Sequence, residues 1–141
     1  MPSEVTAAFL FAQLEHAKEI TNKRLDIWMK YHQLFNQLEK HGKVTRPKIT
    51  KWGTSNAHIY YLLLNSAYDR NDILDKLKKK DINAVFHYQP LHSSPGGNKW
   101  GRNGSDLKIT DDVSERLIRL PIWIGFNEQD RIAKELSKIL T

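Results

Sequence analysis

The chain has 141 residues, with 22 lysines and arginines against 16 aspartates and glutamates, a net charge of +6, and no cysteine. Its content of 40% hydrophobic and 27% charged residues is that of a globular domain with one core, not of a disordered or fibrous chain. The lack of thiols excludes a disulfide framework, thiolate metal sites and cysteine nucleophiles. No apolar run approaches the roughly 20 residues of a membrane span, and Met1-Pro2-Ser3-Glu4-Val5 lacks the basic segment of a signal peptide. A cytoplasmic location is therefore expected. The excess positive charge permits an anionic ligand or a nucleic acid and identifies neither.

The first forty residues read as one very long helix. Leu10, Leu14, Ala17 and Ile20, then Ile27, Tyr31, Leu34 and Leu38, recur at helical spacing, between Ser3 as N-cap and Gly42 as the stop. Lys23 and Arg24 interrupt the stripe, which suggests a bend or a change of packing partner there. Such a helix would span roughly 50 Å, whereas a compact chain of this length has a radius of gyration of about 14 Å. The helix must break or project, and Phe9, Leu10 and Phe11, apolar on more than one face, favour projection.

Residues 43–56 read as a loop with at most a short edge strand. The run His58-Ile59-Tyr60-Tyr61-Leu62-Leu63-Leu64 is predicted to be a strand covered on both faces. A helix over Asn71–Lys80, a strand over Ala84–Tyr88 and a long Gly/Pro loop over Gln89–Lys108 follow. A loop of that length inside a compact domain calls for a functional reason. A helix over Asp111–Leu117, a strand over Leu120–Ile124 and a terminal helix capped by Asn127 complete the chain. The expected architecture is α+β, a three-stranded, mostly antiparallel sheet with helices packed against it.

Few residues carry an unambiguous chemical signal. Lys78-Lys79-Lys80 can touch phosphates, but cations in the last turn of a helix also complement its dipole. Trp52, Trp100, Lys99 and Arg102 mix stacking surfaces with cations, as single-stranded nucleic acid requires, yet no RNA- or DNA-binding signature accompanies them. His87 and His92 lack a third ligand at metal-site spacing, so no metal is expected. The glycines of 95–104 fit neither a phosphate loop nor a dinucleotide fingerprint. His87 and Tyr88 close a strand at the start of the long loop, where a neutral imidazole and a phenol can bond sugar hydroxyls or phosphate oxygens. Structural packing explains the pair equally well.

Four stretches together resemble one family. They are Pro2 through Glu15, Asn56-Ala57-His58-Ile59-Tyr60-Tyr61, Ala84 through His92 with its HY-x-PLH pattern, and Ser114 through Pro121 with S-x-RL-x-RLP. The chain is similar over its whole length to the C-terminal small domain of DegT/DnrJ/EryC1/StrS sugar aminotransferases, nearest the dTDP-4-oxo-6-deoxyglucose transaminase branch of surface-polysaccharide biosynthesis. The resemblance implies the small domain of fold-type-I pyridoxal-phosphate enzymes, which pass an amino group from glutamate to a keto sugar nucleotide. It implies a nucleotide-diphosphate sugar as ligand, a homodimer, and His87 and Tyr88 as substrate contacts. The large domain, with its Schiff-base lysine and phosphate cradle, would lie upstream of Met1. No lysine here matches a catalytic motif, so no catalytic or cofactor-binding residue is nominated. Pyridoxal phosphate is expected in the parent enzyme and not on this chain alone, which should be inactive by itself. A free-standing basic nucleic-acid-binding module is the alternative reading.

Overall fold

A computed structural model describes all residues from Met1 to Thr141. The expected single helix is three: α1 (Glu4–Glu15), α2 (Ala17–Leu34) and α3 (Asn36–Lys40). Ser3 caps α1, its hydroxyl accepting from the Thr6 N–H at 3.3 Å. The breaks fall at His16 (φ −101°, ψ 9°) and Phe35 (φ −86°, ψ 3°), both in the bridge region, not at Lys23 and Arg24. Gly42 ends the run as expected, at φ 69°. Its N–H bonds the Glu39 carbonyl and that of Lys43 bonds Leu38, each at 2.9 Å, the paired closure that a left-handed residue allows.

Burial divides this helical arm in two. Ile27, Trp28, Tyr31 and Phe35 enter the core, whereas α1 buries no residue and leaves Phe9 70% and Phe11 66% exposed. Projection, not breakage alone, is the outcome for its first half.

The sheet has four strands, one more than expected: β1 (Val44–Thr45), β2 (Tyr60–Leu64), β3 (Val85–Phe86) and β4 (Leu117–Leu120), in the order β1-β2-β4-β3 with every pair antiparallel. The added strand is the short edge piece at 44–45. In the register, Tyr60 faces Leu120 and Leu62 faces Ile118. Tyr60, Leu62 and Leu64 are buried while Tyr61 and Leu63 are only half-buried. β2 is thus fully buried on one face only, the other being half-buried, in a sheet whose pairing is antiparallel.

The covered face meets α2, α4 (Arg70–Lys78) and α7 (Gln129–Ile139). Asp69 caps α4 by accepting from the N–H groups of Asn71 and Asp72. Ile132, Ala133 and Leu136 of α7 pack beside Ile73 and Leu77 of α4. At the centre, the Tyr60 ring lies 5.1 Å from Tyr31 and 5.2 Å from Trp28. Such aromatic pairs contribute roughly 0.5–1.5 kcal/mol beyond their buried area.

Two further expectations shift. The last strand runs over Leu117–Leu120, not Leu120–Ile124, because Pro121 has no N–H to extend the ladder and the chain then turns through Gly125 at φ 86°. The preceding helix, α6 (Lys108–Arg116), accordingly begins and ends earlier than predicted. Glu128, not Asn127, occupies the N-cap of α7, and no side chain bonds there. The long loop also contains a helix, α5 (Pro95–Trp100), capped by Ser94, whose hydroxyl accepts from the Gly97 N–H at 3.0 Å.

Candidate functional site

β3 is only two residues long, and the chain leaves the sheet at once through His87 and Tyr88. Their rings meet edge-on at 3.7 Å between centroids, and the peptide bond joining them is cis. Arg119, in the middle of β4, donates from Nη1 to the Tyr88 hydroxyl at 3.2 Å. The bond leaves the phenol's own proton free, and Tyr88 is 64% exposed to present it. Burial lowers the pKa of His87, and the positive charges of Arg119 and His58 lower it further. Its imidazole is neutral at pH 7, with one nitrogen to donate and one to accept.

His87 stands between two clefts. The larger, of about 740 Å³, is floored by Ile59, Tyr61 and Leu117 from the outer sheet face, with Lys48 and His58 contributed by the segment before β2. The second, of about 510 Å³, lies between the His87–Pro90 turn and Ile109 and Val113 of α6. The sequence-nominated pair therefore sits together at a concave surface, half-buried and exposed respectively.

The segment after Tyr88 is held from two sides. His92 bonds Asp111 of α6 through Nε2 at 2.8 Å. Gly97 of α5 packs directly on the Leu91 carbonyl: a Cβ at position 97 would lie 1.7 Å from that oxygen. Glycine is required there by a backbone approach, not for turning alone. His92 thus serves as a strap, not a partner of His87, and no group of three or more His, Asp or Glu side chains could hold a metal.

The other sequence candidates stay apart from this surface. Lys78, Lys79 and Lys80 are exposed where α4 ends. Lys99 covers the Trp100 ring at 4.9 Å at the end of α5, and Trp52, 89% exposed, belongs to the segment between β1 and β2. Two residues that sequence reasoning did not nominate join His87 and Tyr88: His58 and Arg119. The signal for Arg119 was legible, a lone charge inside the apolar run Leu117-Ile118-Arg119-Leu120. His58 offered none.

The side chains present do not assemble a pyridoxal-phosphate site. The cofactor needs a lysine held in a pocket, a carboxylate for the pyridine nitrogen and a phosphate cradle. Every lysine is exposed except Lys43, which is half-buried and lies over the Tyr68 ring at 5.8 Å. No helix is long and apolar enough to cross a membrane.

Comparison with known proteins places the whole chain. The sequence pattern of the DegT/DnrJ/EryC1/StrS aminotransferase family matches residues 2–137. The uncharacterized protein MJ1066 of Methanocaldococcus jannaschii is 31% identical over 134 residues, covering 92% of this chain and 34% of its own. A UDP-4-amino-4-deoxy-L-arabinose–oxoglutarate aminotransferase of Shewanella sediminis is 23% identical, covering 97% of this chain and 37% of its own. The chain spans about a third of the length of these curated relatives. Among solved structures, Helicobacter pylori PseC, an aminotransferase involved in pseudoaminic acid biosynthesis, superposes with a TM-score of 0.81 at 24% identity, over 92% of this chain and 35% of that one. The four-stranded α+β fold is thus that of a domain in such enzymes, and this chain belongs to the DegT/DnrJ/EryC1/StrS aminotransferase family.

Proposed function

We propose that these 141 residues form the C-terminal small domain of a pyridoxal-phosphate-dependent nucleotide-sugar aminotransferase of surface-polysaccharide biosynthesis, working as a homodimer. The cofactor, when bound, supplies the amino-group chemistry from a domain outside these residues. Within this chain His87 and Tyr88 bind and orient the sugar nucleotide. The observation that carries the reading is the position of His87 between two clefts, neutral and edge-on to a tyrosine whose hydroxyl Arg119 fixes. A neutral imidazole and a phenol suit sugar hydroxyls, which both donate and accept. The HY-x-PLH and S-x-RL-x-RLP patterns favour a dTDP-4-keto-6-deoxyhexose as substrate, although the Shewanella relative is named for a UDP-sugar.

The test titrates the chain with dTDP- and UDP-sugars and follows the ring signals of His87 and Tyr88 by NMR. The expected result is saturable shifts at both rings, larger with the dTDP-sugar, and weakened in H87A and Y88F. Unmoved rings, with RNA binding whose affinity falls steeply with salt, would show a nucleic-acid module instead. The chain alone is expected to show no transamination; turnover with one stoichiometric pyridoxal-phosphate adduct at a single lysine contradicts the proposal.

A further inference from the structure

The outer face of the sheet carries an arginine that pairs with no carboxylate. Arg119 sits in β4 between Tyr61 of β2 and Val85 of β3. One of its five N–H donors serves the Tyr88 hydroxyl. The guanidinium makes no ion pair, whereas Arg46 holds Glu39, Arg116 holds Asp112 and Arg131 holds Glu128.

His58 adds a second uncompensated group. Its Nδ1 bonds the Asn56 side-chain oxygen, which also accepts from the His58 backbone N–H at 3.3 Å. An oxygen accepting from the backbone makes the ring nitrogen facing it the N–H donor, which leaves Nε2 as the nitrogen that faces a ligand and donates when protonated. His58, His87 and Lys48 all line the 740 Å³ cleft. Arg119 from β4 and His58 from the segment before β2 act on the charge of His87, which shares its cleft with Lys48 and Tyr61 and meets the Tyr88 ring. Of the α6 carboxylates, Asp111 is engaged by His92 and Asp112 by Arg116, while Glu115 lines the neighbouring cleft with Tyr88 and Arg70 and makes no ion pair with Arg119.

A guanidinium without a carboxylate partner, on a partly desolvated surface beside imidazoles able to take up a proton, favours an incoming anion. A planar guanidinium offers paired N–H donors matched to two oxygens of a phosphoryl or carboxylate group. We propose that Arg119, His87 and His58, with the Tyr88 hydroxyl as a further donor, form a receiving site for an oxyanion on the open face of the sheet. The proposal rests on the reading that His87 and Tyr88 face the substrate, and it adds two residues and the charged part of the ligand. The same donors accept the diphosphate of a sugar nucleotide or the carboxylate of an amino donor. Binding draws a proton onto His87, because the anion offsets the charge of Arg119 that, after burial, keeps the proton away.

The test follows the histidine ring signals of the 141-residue chain by NMR across pH, in chloride buffer alone, with pyrophosphate, and with glutarate. The expected result is a saturable shift of the ring signals at His87 and His58 and a rise in the titration midpoint of His87. In R119Q, with signal dispersion retained, the affinity should fall about tenfold or more, while R119K keeps part of it. Should R119Q not fold, H58Q, on an exposed segment, carries the same expectation. A response to pyrophosphate alone assigns the site to phosphoryl groups, and one to glutarate alone to carboxylates; both support the inference. Silence toward both anions while a nucleotide sugar still moves His87 and Tyr88 overturns the oxyanion site and leaves the proposed function standing. Silence toward all three ligands overturns both, and equal responses in R119Q and the parent chain remove Arg119 from the site.

Discussion

Tyr31 and Tyr60 offer a controlled test of the core, because the same one-atom deletion should act with opposite sign at the two positions. Both side chains are fully buried and their rings stack at 5.1 Å. Burial raises both phenol pKa values well above the ordinary range, so each hydroxyl keeps its proton. They differ in what the hydroxyl meets. Tyr31 donates to the Pro121 carbonyl at 3.0 Å, whereas the Tyr60 oxygen bonds no protein group. Y31F loses a hydrogen bond and strands a half-buried carbonyl, a destabilisation of about 1–2 kcal/mol. Y60F removes an unpaired buried hydroxyl, whose burial costs roughly 1–3 kcal/mol, so it should stabilise the fold by about 1 kcal/mol. The two variants should therefore differ by about 2–3 kcal/mol with the aromatic packing unchanged. Urea unfolding, followed by the fluorescence of Trp28 beside Tyr60, would separate their midpoints by about 1 M at a slope of a few kcal/mol/M. If both variants are destabilised equally, the Tyr60 hydroxyl has a partner and the reasoning fails.

Two other predictions concern the site's support and its acid response. G97A places a methyl group 1.7 Å from the Leu91 carbonyl oxygen, a backbone atom that cannot swing aside. It should loosen residues 89–107 and speed their proteolysis without lowering hydrogen-exchange protection in β2; unchanged cleavage refutes it. Burial raises the pKa of Glu39, but bonds from the Arg46 backbone and guanidinium outweigh it and hold the carboxyl below its ordinary value. A depressed folded-state pKa contributes stability above the unfolded value of about 4.3, and that stability is lost as pH falls through the folded value. Between about pH 5 and pH 3 the parent chain should lose more of its urea midpoint than E39Q; parallel losses would deny the ion pair this role.

The sequence was most informative where local chemistry acts alone. Ser3, Gly42 and the helical spacing of Ile27, Tyr31 and Leu34 announce themselves, and the structure uses each as expected. The errors came where tertiary pairing decides. The apolarity of Tyr60–Leu64 does not reveal that only one face is fully buried, since an outer face can carry Tyr61 and Leu63 half-buried. Pro121 was visible as a residue that cannot donate to a ladder, yet Ile122 and Trp123 beyond it mimic a strand. Within the candidate site, His87 and Tyr88 could be nominated by position and by family resemblance. Arg119 stands out locally as a lone charge in an apolar run, but its meeting with His87 and Tyr88, like that of His58, depends on antiparallel register and loop path, which local sequence does not encode.

The strand order β1-β2-β4-β3 also bears on how the chain is made. β2 emerges from synthesis long before its main neighbour: the bond from Arg116 to the Leu64 carbonyl joins residues 52 apart in sequence, and Tyr31 reaches Pro121 across 90. Until β4 is available, the apolar run Tyr60–Leu64 has only the two residues of β1 beside it. At roughly 5–20 residues per second the interval lasts several seconds, long on the scale of hydrophobic collapse. During synthesis the nascent chain is therefore most open to aggregation between the appearance of β2 and that of β4. Slowing translation across residues 65–116 should lower the soluble yield more than slowing it after Leu120.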